Sequence, residues 1–319
     1  DSNNHTGMDS NGHVFTAGYL AAKREIDDRA LNTHVLDTLT ACLSAENRAG
    51  PRRVLEVGAG IGSMCARLVE RGLFTGTVEY WLTDTDHSLL AEARNYLTGW
   101  AGKHNFSITW NPDHTAHLTT GATEITISLA PVDIRYISSR PDFYCYFDLL
   151  IAHGVLDLFE LSPVVEEFTG CLGSGGLCYF TCNFDGETYF SPELPDDRRI
   201  LDHYHGSMAK RSSTARYTGR RLLGYFLENH AQVMAAGSSD WVIHPGSQGY
   251  SAAQREFLGA LLSLIEKEVA DIEENRHLYT TWIDLRRRQI DAGSLSLVAK
   301  HLDILARPDP GTRLMTRRA

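Results

Sequence analysis

Residues 53–63, Arg-Val-Leu-Glu-Val-Gly-Ala-Gly-Ile-Gly-Ser, constrain the fold of this chain more than any other stretch. Residues 54–57 are a short apolar run with one acid, which predicts a buried strand. The glycines after it let the backbone turn sharply and approach a ligand closely. Helical spacing resumes over residues 63–71. A strand, a glycine turn and a helix in this order predict an α/β protein that binds a nucleotide-like ligand at a doubly wound sheet.

Details of the glycine turn separate the classes of ligand. The dinucleotide fingerprint G-x-G-x-x-G lacks its third glycine, because Ser63 stands there. A phosphate-binding loop needs Gly-Lys-Ser/Thr, and the turn contains no lysine. Glu56 places a carboxylate where it would repel a pyrophosphate. The turn therefore favours a cationic or neutral ligand, and a tight turn that binds nothing is the alternative.

The turn resembles the first motif of class I S-adenosylmethionine-dependent methyltransferases, hh(D/E)hGxGxG. The resemblance implies a Rossmann-like, doubly wound sheet of seven strands, mostly parallel with one antiparallel strand. It also implies S-adenosylmethionine as cofactor and S-adenosylhomocysteine as product. In that family the acid lies at the methionine-ammonium end of the cofactor, and the turn passes beneath it. The implied cofactor-binding residues here are Glu56, Gly58, Ala59 and Gly60.

The next predicted strand, residues 76–83, ends in two competing acids. An acid at this position can accept hydrogen bonds from both ribose hydroxyls. The spacing to the following Ala93-Arg94 resembles the family pattern and favours Asp84, with Thr85 beside it, as the ribose residues. Asp86 is then predicted to be the N-cap of the helix that follows.

A third acid follows an apolar alternation over residues 124–134. The alternation predicts a strand, and it ends near Asp133. In the family a carboxylate here accepts the adenine amino group and the next backbone N–H binds a ring nitrogen. The resemblance therefore assigns Asp133 and Ile134 to the adenine, and an acid in a surface turn is the alternative.

The strongest later strand, residues 147–152, resembles the family's fourth strand and leads into His153. The end of this strand faces the transferred methyl group in such folds. Imidazole has an ordinary pKa near 6.5, so His153 is the first candidate for a general base or a cofactor contact. Asp157 lies near the same mouth and is the second catalytic candidate. The alternatives are a packing histidine and a helix cap.

Acceptor contacts are predicted from two further segments. A glycine turn at residues 173–176 precedes a fifth strand, 177–183, whose end carries Asn183, Asp185 and Tyr189 as candidate substrate-binding residues. The N-terminal helical segment is expected to lie across the cofactor mouth, so that Tyr19 or Arg24 contacts ligand. The dense charged block at residues 23–29 also fits ion pairs on a helix surface.

The cysteine and histidine spacings predict no metal site. None of the six cysteines forms a CxxC pair, which favours free buried thiols in a reducing cytoplasm. His203-Tyr-His205 has no nearby carboxylate–cysteine set to complete a metal site. No apolar run reaches the roughly 18 residues of a membrane helix and no signal peptide precedes the fold, so the expectation is a cytoplasmic protein without a membrane partner.

Composition narrows the partners. The net charge is −10 and the pI about 5.8, and no basic stripe stands out, which argues against nucleic acid. The fourth strand is not followed by the Asn/Asp-Pro-Pro-Tyr/Phe motif linked to amino methylation of bases and glutamine. A small-molecule acceptor is therefore expected, and a homodimer is left open.

The domain expectation follows from these elements. It consists of a disordered or appended start (1–13), an N-terminal helical cap (14–48), a Rossmann-like domain (49–245) with an acceptor-side insertion (190–217), and a C-terminal helical extension (246–319). Residues 232–236 and 240–244 are predicted to pair as a hairpin. Residues 251–273 are a predicted helix, and residues 278–305 are predicted to form at least one more, interrupted near Gly293, with Trp282 and His301 as packing or ligand residues.

The functional expectation is methyl transfer from S-adenosylmethionine to an O, N or C nucleophile by direct displacement. Alignment of acceptor, methyl and sulfur is the main task, because the sulfonium already activates the methyl group. Two alternatives remain. One is an NAD(P)-dependent oxidoreductase, against which Ser63 and Glu56 count. The other is a non-catalytic cofactor-binding protein on the same fold.

Overall fold

The computed structural model describes residues 6–8, 14–46, 49–121, 123–270 and 276–309. The helices and strands in these segments are, in chain order, β1 (Thr6–Met8), β2 (Val14–Thr16), α1 (Ala17–Ala30), α2 (Thr33–Ala45), β3 (Arg52–Val57), α3 (Ser63–Glu70), β4 (Thr77–Asp84), α4 (His87–Lys103), β5 (Ser107–Trp110), β6 (Thr115–Thr120), β7 (Thr123–Pro131), β8 (Phe147–His153), α5 (Leu161–Gly170), β9 (Leu172–Ser191), α6 (Asp197–Ser207), α7 (Thr218–Glu228), β10 (Gln232–Ser238), β11 (Trp241–Ile243), α8 (Ala252–Val269), α9 (Arg276–Asp291) and β12 (Ser296–Arg307).

One large sheet organises these elements. Its strand order is β10-β12-β9-β8-β3-β4-β7-β6-β5, with β11 also paired to β12, which makes ten strands. The run β7-β4-β3-β8-β9 is parallel, and the other pairings are antiparallel. The order reverses between β3 and β8, which is the switch point where open α/β sheets bind ligands. The predicted Rossmann-like fold is confirmed, with ten strands rather than seven.

The C-terminal part departs from the prediction. The predicted hairpin does not form, because β10 and β11 both pair antiparallel with β12 and not with each other. The predicted helix over 278–305 ends at Asp291, and β12 then enters the sheet beside β9. The C-terminal extension is therefore not wholly helical. Residues 303–306 of this strand are buried on both faces of the sheet, and a short apolar run of this kind fits a helix or a strand equally well in sequence.

Three other segments also differ. Residues 115–120, which no sequence pattern above assigns to a strand, form β6 between β5 and β7. Strand β9 runs to Ser191, and beyond its parallel pairing with β8 it stays paired with β12. In the predicted disordered start, Thr6–Met8 pairs with Val14–Thr16, and the rest of that start lies outside the described residues.

Four apolar clusters are present in the described part of the chain, the smallest of which consists of Phe184, Met208 and Ala215. Two of them join the strands to the helices packed on them. The third joins α1, α6, α8 and α9, with Phe257, Leu262 and Trp282 among its buried members. This third cluster forms a helical roof at the end of the sheet where the parallel strands finish. Within the described segments, no helix combines the length and apolar character needed to cross a membrane.

Candidate functional site

A cavity of about 460 Å³ lies at the carboxyl ends of the parallel strands. Its walls come from the glycine turn and the ends of β4, β7 and β8 on one side, and from α1, α6, α8 and β9 on the other. Parallel strands end at the same edge of a sheet, so side chains that are distant in sequence meet there. Two groups of residues in its lining each contain a buried carboxylate.

The first group, called here the glycine-loop site, consists of residues 56–62 with Asp84. Gly58 and Gly60 have φ angles of 62° and 53°, which favour glycine. A Cβ on Gly58 would stand 2.6 Å from Val155 Cγ2. The Gly60 N–H donates to Asp84 Oδ2 (2.9 Å), and the Asp86 N–H donates to Asp84 Oδ1 (3.0 Å). The Asp84 carboxylate is therefore fixed in the cavity wall before any ligand arrives.

Both acids of the glycine-loop site are costly to ionise. Glu56 is buried and accepts the Tyr80 hydroxyl (2.6 Å), and burial raises the pKa of Glu56 to about 8. Burial also raises the pKa of Asp84. Neither forms a salt bridge with another described residue. A cationic ligand would supply the missing positive charge.

Asp86, Asp133 and Ile134 complete this side of the cavity. Asp86 caps α4 by accepting the Ser88 N–H (2.8 Å), which confirms its predicted capping role. Asp133 starts a short 3₁₀ helix, pairs with the Arg135 guanidinium (2.6 Å), and has its pKa lowered by that hydrogen bond. The pair is partly exposed and therefore weak, so a ligand amino group can compete for the carboxylate.

The second group, called here the cap cluster, consists of Lys23, Asp27, His153, Cys182 and Trp241. Asp27 is its hub and accepts hydrogen bonds from the other members. Oδ2 accepts Lys23 Nζ (2.6 Å) and His153 Nε2 (2.7 Å), while Oδ1 accepts Trp241 Nε1 (3.0 Å) and lies 3.8 Å from Cys182 Sγ. Four segments of the chain thus meet at one buried carboxylate.

Charge compensation sets the protonation of the cap cluster. Burial opposes ionisation of Asp27, but the Lys23 ammonium and the hydrogen bond from His153 outweigh it and lower the pKa of this carboxyl far below its ordinary value. The pKa of Lys23 is raised: burial lowers it, and the Asp27 carboxylate more than offsets this. The cluster is therefore an internal ion pair.

His153 has no nitrogen free in this arrangement. Nε2 contacts Asp27, and Nδ1 lies 2.7 Å from the Thr181 hydroxyl. Burial lowers the pKa of His153 to about 4, so the neutral ring donates from Nε2 and accepts at Nδ1. The geometry makes His153 a positioning residue that holds Asp27. Its predicted role as a general base stays a prediction.

Most predicted site residues line the cavity. They are Tyr19, Glu56, Gly58, Ala59, Gly60, Asp84, Thr85, Asp133, Ile134, His153 and Asp157. Tyr19 stacks on Phe257 with ring centroids 5.7 Å apart, and Asp157 lies 3.8 Å from the Arg211 guanidinium.

The three substrate candidates on β9 do not line it. Asn183 donates to the Phe180 and Leu302 carbonyls, Asp185 pairs with an arginine of α7, and Tyr189 is half exposed. Side chains alternate between strand faces, and on this strand Cys182, Phe184 and Thr188 line the cavity instead. The choice of residues was therefore shifted by one position. Arg24 also lies elsewhere, paired with Glu70.

The sequence predictions missed Lys23, Asp27 and Trp241. Tyr19, Lys23 and Asp27 follow each other at i, i+4 and i+8, which places them on one face of α1. This spacing was a usable signal, but charged pairs four residues apart are common on exposed helices. Of the two residues left as packing or ligand candidates, His301 lines the cavity, whereas Trp282 packs on Phe190 in the helical roof.

Comparison with known proteins gives short or distant matches. A scan against protein-family models matches no family. A probable non-canonical nonribosomal peptide synthetase, CymA of Salinispora arenicola, is 44% identical over 59 residues, which are 18% of this chain and 1% of that protein. This chain therefore corresponds to a very small part of CymA.

Solved structures resemble most of the chain. An S-adenosylmethionine-dependent methyltransferase from Geobacter sulfurreducens, in complex with S-adenosylhomocysteine, is 14% identical with a TM-score of 0.45, covering 88% of this chain and 93% of that one. One from Thiobacillus denitrificans, in the same complex, is 14% identical with a TM-score of 0.43, covering 89% and 97%. At these values the likeness does not assign a function.

Proposed function

We propose that this protein transfers a methyl group from S-adenosylmethionine to a small-molecule acceptor. The observation that carries the proposal is the glycine-loop site. Two carboxylates, those of the buried Glu56 and the half-buried Asp84, line a cavity beside a glycine turn and form no salt bridge with a described residue. A ligand with a cationic end and a ribose offers each of them a partner.

The residues present fit such a cofactor. Glu56 would hold the cationic methionine end, and the preorganised Asp84 would accept the ribose hydroxyls. Asp133 and the Ile134 N–H would hold the adenine at the end of β7. When bound, the sulfonium supplies an already activated methyl group. The protein's own contribution is then alignment of the acceptor and exclusion of water.

The acceptor would occupy the side of the cavity under the helical roof. Tyr19, Phe184 and Leu261 give this part apolar walls, and Asp157 and Arg211 give it polar ones. A mostly apolar pocket with a few polar groups suits a small organic molecule. Asp157 is the proposed group for orienting the acceptor or accepting its proton, since both nitrogens of His153 are engaged.

Calorimetric titration with S-adenosylhomocysteine, and separately with NADH, tests the cofactor. The wild type is expected to bind the homocysteine product. Asp84→Ala is expected to weaken that binding about 100-fold or more, because hydrogen bonds to a charged group contribute about 1.5–3 kcal/mol each. Asp86→Ala is the matched control. It also removes a carboxylate that lines the cavity, two residues from Asp84, but this carboxylate caps α4.

The outcomes separate the alternatives. If the wild type does not bind S-adenosylhomocysteine, the proposed methyl transfer is wrong. If it binds NADH instead, the oxidoreductase alternative is favoured. Equal losses in Asp84→Ala and Asp86→Ala would contradict the ribose role. Binding without methyl transfer to any acceptor in a broad screen with radiolabelled cofactor would favour a non-catalytic binding protein.

A further inference from the structure

We propose that Asp27, His153 and Cys182 of the cap cluster form a binding site for Zn²⁺, in which the Lys23 ammonium holds the place of the metal ion in this structure. The proposal concerns the cap cluster alone and does not depend on the proposed methyl transfer. It departs from the sequence prediction of no metal, which considered only the spacing of cysteines and histidines along the chain.

The donor atoms are close enough for one ion. One ligand atom from each of Asp27, His153 and Cys182 lies within 4.8 Å of the others. Zinc bonds of about 2.0–2.3 Å in a tetrahedral site place ligand atoms roughly 3.3–3.8 Å apart. Asp27 Oδ1 and Cys182 Sγ are already 3.8 Å apart. Small side-chain rotations therefore suffice.

The donor types select the metal. Carboxylate, imidazole and thiol together suit Zn²⁺, whereas Mg²⁺ and Ca²⁺ prefer oxygen ligands alone. Three protein ligands with a fourth position facing a cavity is the pattern of open zinc sites. His153 and Cys182 both line the cavity, so that position is within reach of a bound molecule.

Each ligand also has a supporting partner. Thr181 contacts His153 Nδ1 (2.7 Å), and Trp241 donates to Asp27 Oδ1 (3.0 Å). The Cys182 N–H donates to Asp303 Oδ1 (2.8 Å), and this holds Cys182 at a φ of 56°, which is unusual outside glycine. Outer partners of this kind fix the orientation of metal ligands.

Lys23 marks the position of the cation. Its Nζ lies 2.6 Å from Asp27 Oδ2, 3.5 Å from His153 Nε2 and 4.0 Å from Cys182 Sγ. The ammonium thus touches all three ligands. On zinc binding the Cys182 thiol loses its proton to solvent and the His153 proton moves from Nε2 to Nδ1, where it is donated to Thr181. Lys23 swings into the cavity with its charge.

Lys23→Met gives the sharpest test, because it removes the competing cation and keeps the length of the side chain. In the full chain treated with chelator, it is expected to lower the melting temperature. Added Zn²⁺ is expected to restore it, and Mg²⁺ is not. Competition with a chromophoric chelator should show one Zn²⁺ bound at least tenfold more tightly than by the wild type.

Two cysteine variants complete the experiment. Cys182→Ser should weaken Zn²⁺ binding at least tenfold and abolish the thiolate-to-metal absorption band that Co²⁺ gives with the wild type. Cys145→Ser removes an exposed thiol and should change neither. The proposal is overturned if the wild type and Lys23→Met bind no more Zn²⁺ than Cys182→Ser. If Lys23→Met does not fold, the presence or absence of the Co²⁺ absorption band in the wild type tests the proposal. S-adenosylhomocysteine is absent throughout, so failure here is separate from failure of the proposed function.

Discussion

The glycine-loop site and the cap cluster both place carboxylates on one cavity, yet their electrostatics are opposite. Glu56 and Asp84 form no salt bridge with a described residue, and burial raises the pKa of each. Asp27 is as buried as Glu56, but Lys23 and His153 surround it and lower its pKa. The first arrangement is incomplete without a ligand, and the second is complete within the protein.

This difference assigns different work to the two groups. A buried carboxylate without a counter-charge lowers the stability of the folded protein. Such a group is typical of a functional site, where a bound ligand supplies the counter-charge. An internally paired carboxylate instead fixes the elements that carry its partners. In this protein the cap cluster ties α1 and β11 to the end of β8 and the middle of β9. Cofactor binding should therefore respond to changes at Glu56 and Asp84, and stability to changes at Asp27.

The largest expected effect comes from Asp27→Ala. It leaves the Lys23 ammonium and the Trp241 N–H without their acceptor in a buried site, and such a loss costs about 3–5 kcal/mol. Urea unfolding measures the change in the free energy of unfolding. Asp37→Ala, at an exposed position on α2, is the control and should stay within about 0.5 kcal/mol. If Asp27→Ala and Asp37→Ala lowered the free energy of unfolding by the same small amount, the cap cluster would not stabilise the packing of the helical roof.

The second largest expected effect is a loss of protein stability in acid, which comes from His153 of the cap cluster. The pKa of His153 is about 4 in the folded protein and near 6.5 when unfolded. The unfolded chain therefore binds more protons between these values, and stability falls as pH drops from 6.5 towards 4, by up to about 3 kcal/mol from this residue. Urea unfolding in the presence of a metal chelator measures the slope.

His153→Gln should reduce that slope, since an amide can still donate to Asp27 but does not titrate. Burial also lowers the pKa values of His205 and His301 to about 4, so part of the slope remains. The exposed His87→Gln is the control and should leave the slope as it is. An unchanged slope in His153→Gln would contradict the assignment.

The residues of the glycine-loop site could be grouped from the sequence because their signal is local. Glu56, Gly58 and Gly60 stand within five residues, and Asp84 ends the next strand, so strand order alone brings them together. The cap cluster offered no such signal: Asp27 and His153 are 126 residues apart. Lys23 and Asp27 also have the spacing of an ion pair on an exposed helix. Only the packing of α1 on the sheet distinguishes a buried cluster from such an exposed pair.

Two other errors have physical causes of the same kind. The cavity face of β9 depends on the register after Thr181, where the positive φ of Cys182 changes the course of the strand, and no residue pattern reports this. Strand β12 carries apolar residues on both faces, so its sequence does not separate helix from strand. Long-range pairing with β9, β10 and β11 decides the matter.

A backbone change in the glycine-loop site should have an intermediate effect. Gly58→Ala places a Cβ at a φ of 62° and 2.6 Å from Val155, which should cost about 2–3 kcal/mol. Gly72→Ala has a similar φ of 66° and nothing within 4 Å, so it should cost about 1 kcal/mol. Thermal unfolding gives both values. Adding Val155→Ala should recover part of the Gly58→Ala loss, and no recovery would contradict the steric explanation.

The smallest expected effect is a pH dependence of ligand binding that differs between the glycine-loop site and the cap cluster. With its pKa raised to about 8, Glu56 is protonated in the ligand-free protein near neutrality. Stability from this residue is then full below its unfolded pKa of about 4.3 and is lost as pH rises through 8, opposite in sign to His153. A cationic ligand requires the ionised form, so binding must release a proton. Each pH unit below 8 should weaken binding by about tenfold, or about 1.4 kcal/mol.

Calorimetry of S-adenosylhomocysteine binding at pH 6, in buffers of different ionisation enthalpy, counts the released protons. About one is expected for the wild type and none for Glu56→Gln, which keeps an acceptor for the Tyr80 hydroxyl but does not titrate. His153→Gln should release the same number as the wild type, because the cap cluster is already neutralised. Proton release that persists in Glu56→Gln and disappears in His153→Gln would reverse the roles given to the two groups.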